Sequence, residues 1–326
     1  MAVGPLASLS LAVAAVALPV LSTGALAQAY PTKPVRIVAT LAPGSAVDIL
    51  ARVIADPMGR TLAQPVIVDN RPGAGGLVAT EAVQRAAPDG YTLLLGGASH
   101  VINPVILPKV AYDPIRDFSP VLNVASSPNV LIVSNSLPAR NVKELVALAK
   151  KRPGELLYSS GGTGTSQHMA AELFAMMAGV KMVHVPFKGA PPAVGALLGG
   201  EVAMMFPNIP NAVGIAKAGK VRILGTTTPK RLSWWPDLPT IAEAGVPGYE
   251  VVAWFGMFAP AGTPEAVVER LNTEANRAIA LPNIRDSLVA QGFEPIGGTR
   301  RELAEFVRVE LDKWTKVVKA TGIKAE

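Results

Sequence analysis

At 326 residues, half of them hydrophobic and 17% charged, the chain is long enough to build more than one core, and two domains are expected. The absence of cysteine excludes thiolate catalysis and Cys-ligated zinc or iron–sulfur sites. The net charge of +6 comes from basic residues spread along the chain rather than clustered, so a nucleic-acid partner is not expected.

The first charged side chain is Lys33, and most of Leu6 to Leu21 is apolar. Gly4, Pro5 and Pro19 interrupt a run that would need about 20 apolar residues to span a bilayer. Ala25-Leu26-Ala27 before Gln28 fits a small-residue cleavage site, so residues 1–29 read as a secretory signal peptide and the mature protein as periplasmic. The stretch departs from the usual pattern in having no Lys or Arg ahead of its apolar part.

Beyond Tyr30, short β-branched runs alternate with longer amphipathic ones, the pattern of an α/β fold with largely parallel sheets. Val35–Thr40, Val66–Asp69, Tyr91–Leu95 and Val121–Val124 are the first expected strands. Leu50, Val53, Ile54 and Leu62 recur at helical spacing between the first two, with Asp48 placed to cap the helix and Pro57 to kink or end its first half. A second series opens with strand Val130–Val133, a helix from Asn141 with Glu144 three residues on, and strand Leu156–Ser159. Helix Gln167–Ala178, strand Met182–Val185, helix Ala190–Leu198, and strands Val202–Phe206 and Val221–Gly225 continue it.

Pro229 to Pro247 reads as a long surface connection leading back to the first domain. Two helices are then expected to close the chain. One opens at Thr263-Pro264-Glu265, with Thr as cap and Pro at the first helical position, and the other at the capping box Thr299-Arg300-Arg301-Glu302, running to about Ala320.

Two strand-to-helix turns are candidates for chemistry. Leu41-Ala42-Pro43-Gly44-Ser45-Ala46-Val47-Asp48 can aim several backbone N–H groups at one spot. A helix start, with about four unpaired donors and roughly half a positive charge, suits a carboxylate or phosphate. Taken alone, this turn reads as an ordinary strand-to-helix turn with Gly for backbone freedom and Asp48 as a cap. Ser159-Ser160-Gly161-Gly162-Thr163-Gly164-Thr165-Ser166-Gln167-His168 is the stronger signal, because three glycines allow close backbone approach and five hydroxyl residues supply neutral donors.

Enzyme readings fare worse. The segment around Ser166 fails the G-x-S-x-G nucleophile pattern at His168, and the remaining histidines, His100 and His184, flank apolar runs. Gly73-Ala74-Gly75-Gly76 misses the dinucleotide fingerprint at Val78 and reads as a turn feeding a helix. The carboxylates are scattered without metal spacing, so neither metal nor cofactor is expected. Phe187, Trp254 and Phe255 are either core residues or walls of a pocket.

Five ordered motifs carry a resemblance that spans the mature chain. They are Asn70-Arg71-Pro72-Gly73-Ala74-Gly75-Gly76, Ala87-Pro88-Asp89-Gly90-Tyr91-Thr92-Leu93, Pro186-Phe187-Lys188-Gly189, Pro239-Thr240-Ile241-Ala242-Glu243-Ala244-Gly245 and Ala259-Pro260-Ala261-Gly262-Thr263-Pro264. The chain resembles the Bug family, the TctC-like extracytoplasmic receptors of tripartite tricarboxylate transporters. The resemblance implies a two-domain fold of the type II periplasmic-binding-protein kind, closing on ligand. Domain 1 would comprise residues 30–129 and 254–326, and domain 2 residues 130–253.

It also implies a ligand carboxylate held between Pro43–Asp48 and Ser160–His168 by amides, hydroxyls and bridging waters. The expected ligand set is Pro43, Gly44, Ser45, Ala46, Val47, Asp48, Ser99, Ser160, Gly162, Thr163, Gly164, Thr165, Ser166, Phe187 and Asn208, with no catalytic residue. The expected partners are a small organic carboxylate and TctA- and TctB-like membrane subunits, or alternatively a signalling protein, with the receptor itself a monomer. An exported serine hydrolase using Ser166 is the remaining alternative. Relative to the family pattern, Ser45 replaces a frequent second glycine and Leu41 an aromatic, which points to a changed cleft mouth, while Ala203 and Ala196 replace acidic residues that an amine-bearing ligand could have used.

Overall fold

The computed structural model describes residues 30–323 together with residues 1, 2 and 4; those three apart, the expected signal peptide lies outside them. The chain opens with β1 (Val35–Ala39), α1 (Ala46–Leu62), β2 (Val66–Asn70), α2 (Leu77–Gln84), β3 (Thr92–Gly96), α3 (Ser99–Ile106) and β4 (Phe118–Pro128). It continues with β5 (Val130–Ser134), α4 (Val142–Lys151), β6 (Leu157–Ser160), α5 (Ser166–Ala178), β7 (Val183–Pro186), α6 (Ala190–Leu198), β8 (Met204–Met205), α7 (Ile209–Lys217) and β9 (Val221–Thr226). After a long connection come β10 (Val252–Pro260), α8 (Glu265–Ala280), α9 (Pro282–Ala290), β11 (Glu294–Pro295) and α10 (Arg300–Thr321).

These elements form a mixed α/β fold with two sheets. The six-stranded sheet has the order β11-β4-β10-β3-β1-β2, and the five-stranded sheet β7-β6-β8-β5-β9. β1 lies parallel to β2 and β3, whereas β10 runs antiparallel between β3 and β4. The chain therefore crosses between the sheets twice, at the β4–β5 junction and through the segment before β10.

The strand pleat explains why helices cover both faces of the first sheet. Val35, Ile37 and Ala39 of β1 alternate with Val38, and they point to different cores. The first group packs with Leu50, Ile54 and Met58 of α1 and Leu271 and Ala275 of α8. Val38 shares a core with Val101 and Ile102 of α3 and Leu303 and Val307 of α10. Each such fully buried aliphatic side chain contributes about 1.5–3 kcal/mol.

α10 is anchored by a buried carboxylate. Glu310 accepts hydrogen bonds from Trp254 Nε1 at 3.0 Å and Trp314 Nε1 at 3.1 Å, with Lys313 Nζ at 3.4 Å. Glu310→Ala strands two buried indole N–H groups, and is expected to lower the unfolding free energy by about 2–4 kcal/mol in urea titrations, with Glu310→Gln losing less than half of that. Equal losses in the two variants would contradict this account.

Several local expectations require correction. α1 runs unbroken through Pro57. Ser45, not Asp48, is the N-cap of α1; Asp48 lies in the first turn and reaches back to the Gly44 N–H. Thr263 does not cap α8, because its hydroxyl donates to the Pro260 carbonyl at 2.8 Å. Three helices rather than two close the chain, α9 being separated from α8 by Leu281. The proline-rich segment is only partly a surface connection, since Leu238, Ile241 and Val246 within it are buried. Elsewhere the Asn141 and Thr299 caps form as expected, the latter a complete capping box with Glu302.

Candidate functional site

Four strand-to-helix turns, two from each half of the molecule, converge at one seam. The turn after β1 donates its Ala42 N–H to the Lys188 carbonyl of the turn after β7, at 3.1 Å. Gly44, at the same turn, accepts from Asn211 Nδ2 of α7 at 2.8 Å. The turn after β2, Gly73 to Gly76, sits against Gly162 and Thr163 of the turn after β6. Asn70 Nδ2 donates to the Leu41 carbonyl at 3.0 Å and so ties the two turns of the first half together.

The β1–α1 turn is fixed by its own polar groups. Ser45 Oγ donates to the Ala42 carbonyl at 2.6 Å, and the Gly44 N–H donates to Asp48 Oδ2 at 2.8 Å. Burial pushes the Asp48 carboxyl up, but the Arg52 guanidinium, the Gly44 N–H and Asn70 outweigh it and hold the group below the usual carboxylate range. Arg52 Nε lies 3.0 Å from Asp48 Oδ1. Asp48 therefore shapes the turn, and its charge is already spent on Arg52.

The β6–α5 turn is stiffened from beneath by two histidines. The Gly164 N–H donates to His168 Nδ1 at 3.2 Å, which fixes that nitrogen as the acceptor. His184 Nε2 lies 2.6 Å from Ser160 Oγ, and the two imidazoles stack with centroids 4.2 Å apart. Burial, helped by the neighbouring His184, pushes His168 down to about 3, and burial alone pushes His184 down to about 4. Thr165 caps α5 by accepting from the His168 N–H, and its hydroxyl donates to the Gly162 carbonyl at 2.7 Å. His100 stands apart between Tyr112 and Phe258, with Nε2 3.0 Å from the Pro114 carbonyl oxygen.

Among the expected ligand residues, Ser45, Ala46, Val47 and Asp48 are buried at the start of α1, while Pro43 and Gly44 are exposed. Ser160, Gly162, Gly164 and Thr165 are buried and Thr163 and Ser166 half-buried. Ser99 lies on α3 with its Oγ beside Gly76. Phe187 is half-buried, and its N–H donates to the Ser160 carbonyl at 3.0 Å. Asn208 is the N-cap of α7, is buried, and bridges to Asn129 beside the start of β5. Sequence reasoning passed over Asn103 and Asn211, and gave no ligand role to Gly75 or Gly189 although both lie in motifs it singled out, Asn70–Gly76 and Pro186–Gly189.

The fold is that of the periplasmic solute-binding proteins, with two sheet-based halves meeting at a seam of helix-opening turns. The chain belongs to the tripartite tricarboxylate transporter family receptors, whose family model matches residues 50–323. It is 35% identical over 300 residues to Protein BugT of Bordetella pertussis, covering 91% of this chain and 92% of that protein. The solved structure of Rhodopseudomonas palustris Rpa4515 with adipate superimposes with a TM-score of 0.87 at 38% identity, covering 90% of this chain and 99% of that one. MatC of the same organism with bound malate gives a TM-score of 0.85 at 35% identity, over 89% and 100% of the two chains. The family and these neighbours are binding proteins rather than enzymes.

Proposed function

We propose that this receptor is an exported, periplasmic monomer that captures a small organic carboxylate and delivers it to TctA- and TctB-like membrane subunits, with no catalytic step and no cofactor. Domain 1, residues 30–129 and 254–326, and domain 2, residues 130–253, act as the two jaws. The observation that carries the reading is the meeting of helix-opening turns from the two sheets, the α1 start against the β7–α6 turn and α7, and the turn after β2 against the α5 start, around glycine turns rich in amide donors. First-turn N–H groups and hydroxyls favour an anion without a formal positive charge.

The expected ligand set plays two parts in this reading. Thr163 and the surrounding first-turn amides face the acid, while the Ser45 and Thr165 hydroxyls, Asp48 and His168 hold the two turns in shape. The neighbours that carry adipate and malate support a carboxylate as cargo.

Thermal denaturation against a panel of mono- and dicarboxylates tests this. An acid present at a hundred times its dissociation constant is expected to add about 2.7 kcal/mol to the unfolding free energy. A broad panel that shifts nothing, with the protein first unfolded and refolded to strip copurified ligand, would remove the carboxylate reading.

A further inference from the structure

α3 presents Ser99 and Asn103 four residues apart, and therefore on one face. That face looks onto the seam. Ser99 Oγ lies beside Gly76, while Asn103 Oδ1 lies so close to Gly164 that a Cβ on that residue would overlap it. Asn103 is fully buried, and neither Oδ1 nor Nδ2 has a hydrogen-bond partner among the described residues. A buried amide with both ends unpaired is costly, and native proteins keep such groups where they serve a purpose. The backbone around it is regular, the Leu107 N–H donating to the Asn103 carbonyl at 3.0 Å, so the side chain is held at this place by a rigid helix.

We propose that Asn103 is a specificity-determining ligand contact that selects acids bearing a hydroxyl or carboxamide group besides the captured carboxylate. The inference rests on the carboxylate reading above and names the class of acid within it. An amide side chain offers a donor and an acceptor together. A hydrocarbon segment of a ligand satisfies neither. A second carboxylate accepts from Nδ2 and repels Oδ1. A hydroxyl or a carboxamide both donates and accepts, and so completes the buried amide. Sites that hydrogen-bond a ligand group in this way discriminate strongly against analogues that lack it.

The test compares matched acids by calorimetry on the full mature protein: glutarate against 2-hydroxyglutarate and glutaramate, and adipate against adipamate. The wild type is expected to bind at least one hydroxy or amide congener about tenfold or more tightly than its plain diacid. In Asn103→Leu that preference is expected to vanish, while affinity for the plain diacids stays within about threefold. Asn103→Asp keeps the volume and puts a carboxylate in place of the amide, and is expected to lose the preference and weaken every acid. Thermal melts of both variants establish that they are folded. A wild type without preference, or a preference that survives in a folded variant, overturns the assignment and leaves carboxylate capture standing. A wild type that binds no acid of either series overturns the reading on which it rests.

Discussion

Alanine at Gly75 is expected to cut the apparent affinity for ligand about a hundredfold while leaving the unliganded protein folded. Gly75 has φ +59°, and a Cβ there would overlap the carbonyl oxygen of Thr163 on the opposing jaw. The overlap exists only where the two halves meet. A penalty of about 3 kcal/mol on the closed form alone lowers apparent affinity by about two orders of magnitude, because only the closed fraction holds ligand tightly. Gly154→Ala is the control, since that glycine has φ +80° and a Cβ there would meet nothing within 4 Å, so it shares the backbone strain without the contact. Titration calorimetry of the two variants should show affinity lost in the first and kept in the second. Small-angle scattering should show that only the first stays expanded with ligand added. Unchanged affinity in Gly75→Ala would mean that the turn after β2 does not seal the jaws.

The second large effect is on stability as the pH falls. The chain has three histidines, and in the folded protein burial lowers His100 to about 4, His168 to about 3 and His184 to about 4. In the unfolded chain each titrates near 6.5. Between those values the unfolded state binds protons that the folded state refuses, so stability falls as pH decreases. The slope reaches about 1.4 kcal/mol per pH unit for each histidine, about 4 for all three. Against a typical total of about 5–15 kcal/mol, this brings the protein close to unfolding well above the carboxylate range. Lowered carboxyls such as Asp48 and Glu302 contribute stability above their unfolded values and lose it only as pH falls through their folded ones, a separate and more acidic window. Urea titrations at pH 7, 6 and 5 should show the steep decline, reduced by about a third in His100→Gln, whose amide can still donate to the Pro114 carbonyl oxygen. Stability that is flat between pH 7 and 5 would contradict it.

Much of the fold is legible because strands buried on both faces and amphipathic helices leave distinct periodicities. Helix Ala190–Leu198 has the expected bounds, and the Asn141 and Thr299 caps are local chemistry that tertiary packing leaves alone. α3 and α7 escaped detection because their sequences, Ser-His-Val-Ile-Asn-Pro-Val-Ile and Ile-Pro-Asn-Ala-Val-Gly-Ile-Ala-Lys, are short and mix proline with apolar residues on several faces. Pro57 failed to break α1 because a proline in a helix needs only its lost hydrogen bond and ring clash absorbed, and here it is buried in a long, well-packed element. The two glycine turns were visible as loops with too many donors for a plain connection. Their meeting was not, since the Ala42–Lys188 and Gly75–Thr163 contacts join residues more than 80 positions apart that follow strands of different sheets. Asn103 was hidden for a related reason: a lone Asn in an apolar octapeptide signals nothing until the helix is seen to face Gly164.

The central claim is that the seam between the jaws holds a carboxylate. The most direct measurement is calorimetric titration of ligand-stripped protein with a bound acid found in the panel and with its fully esterified counterpart. Capture by helix-start amides and hydroxyls predicts saturable one-to-one binding of the acid and none of the ester. Equal binding of both, or saturable binding of the ester alone, would place recognition on some feature other than the carboxylate.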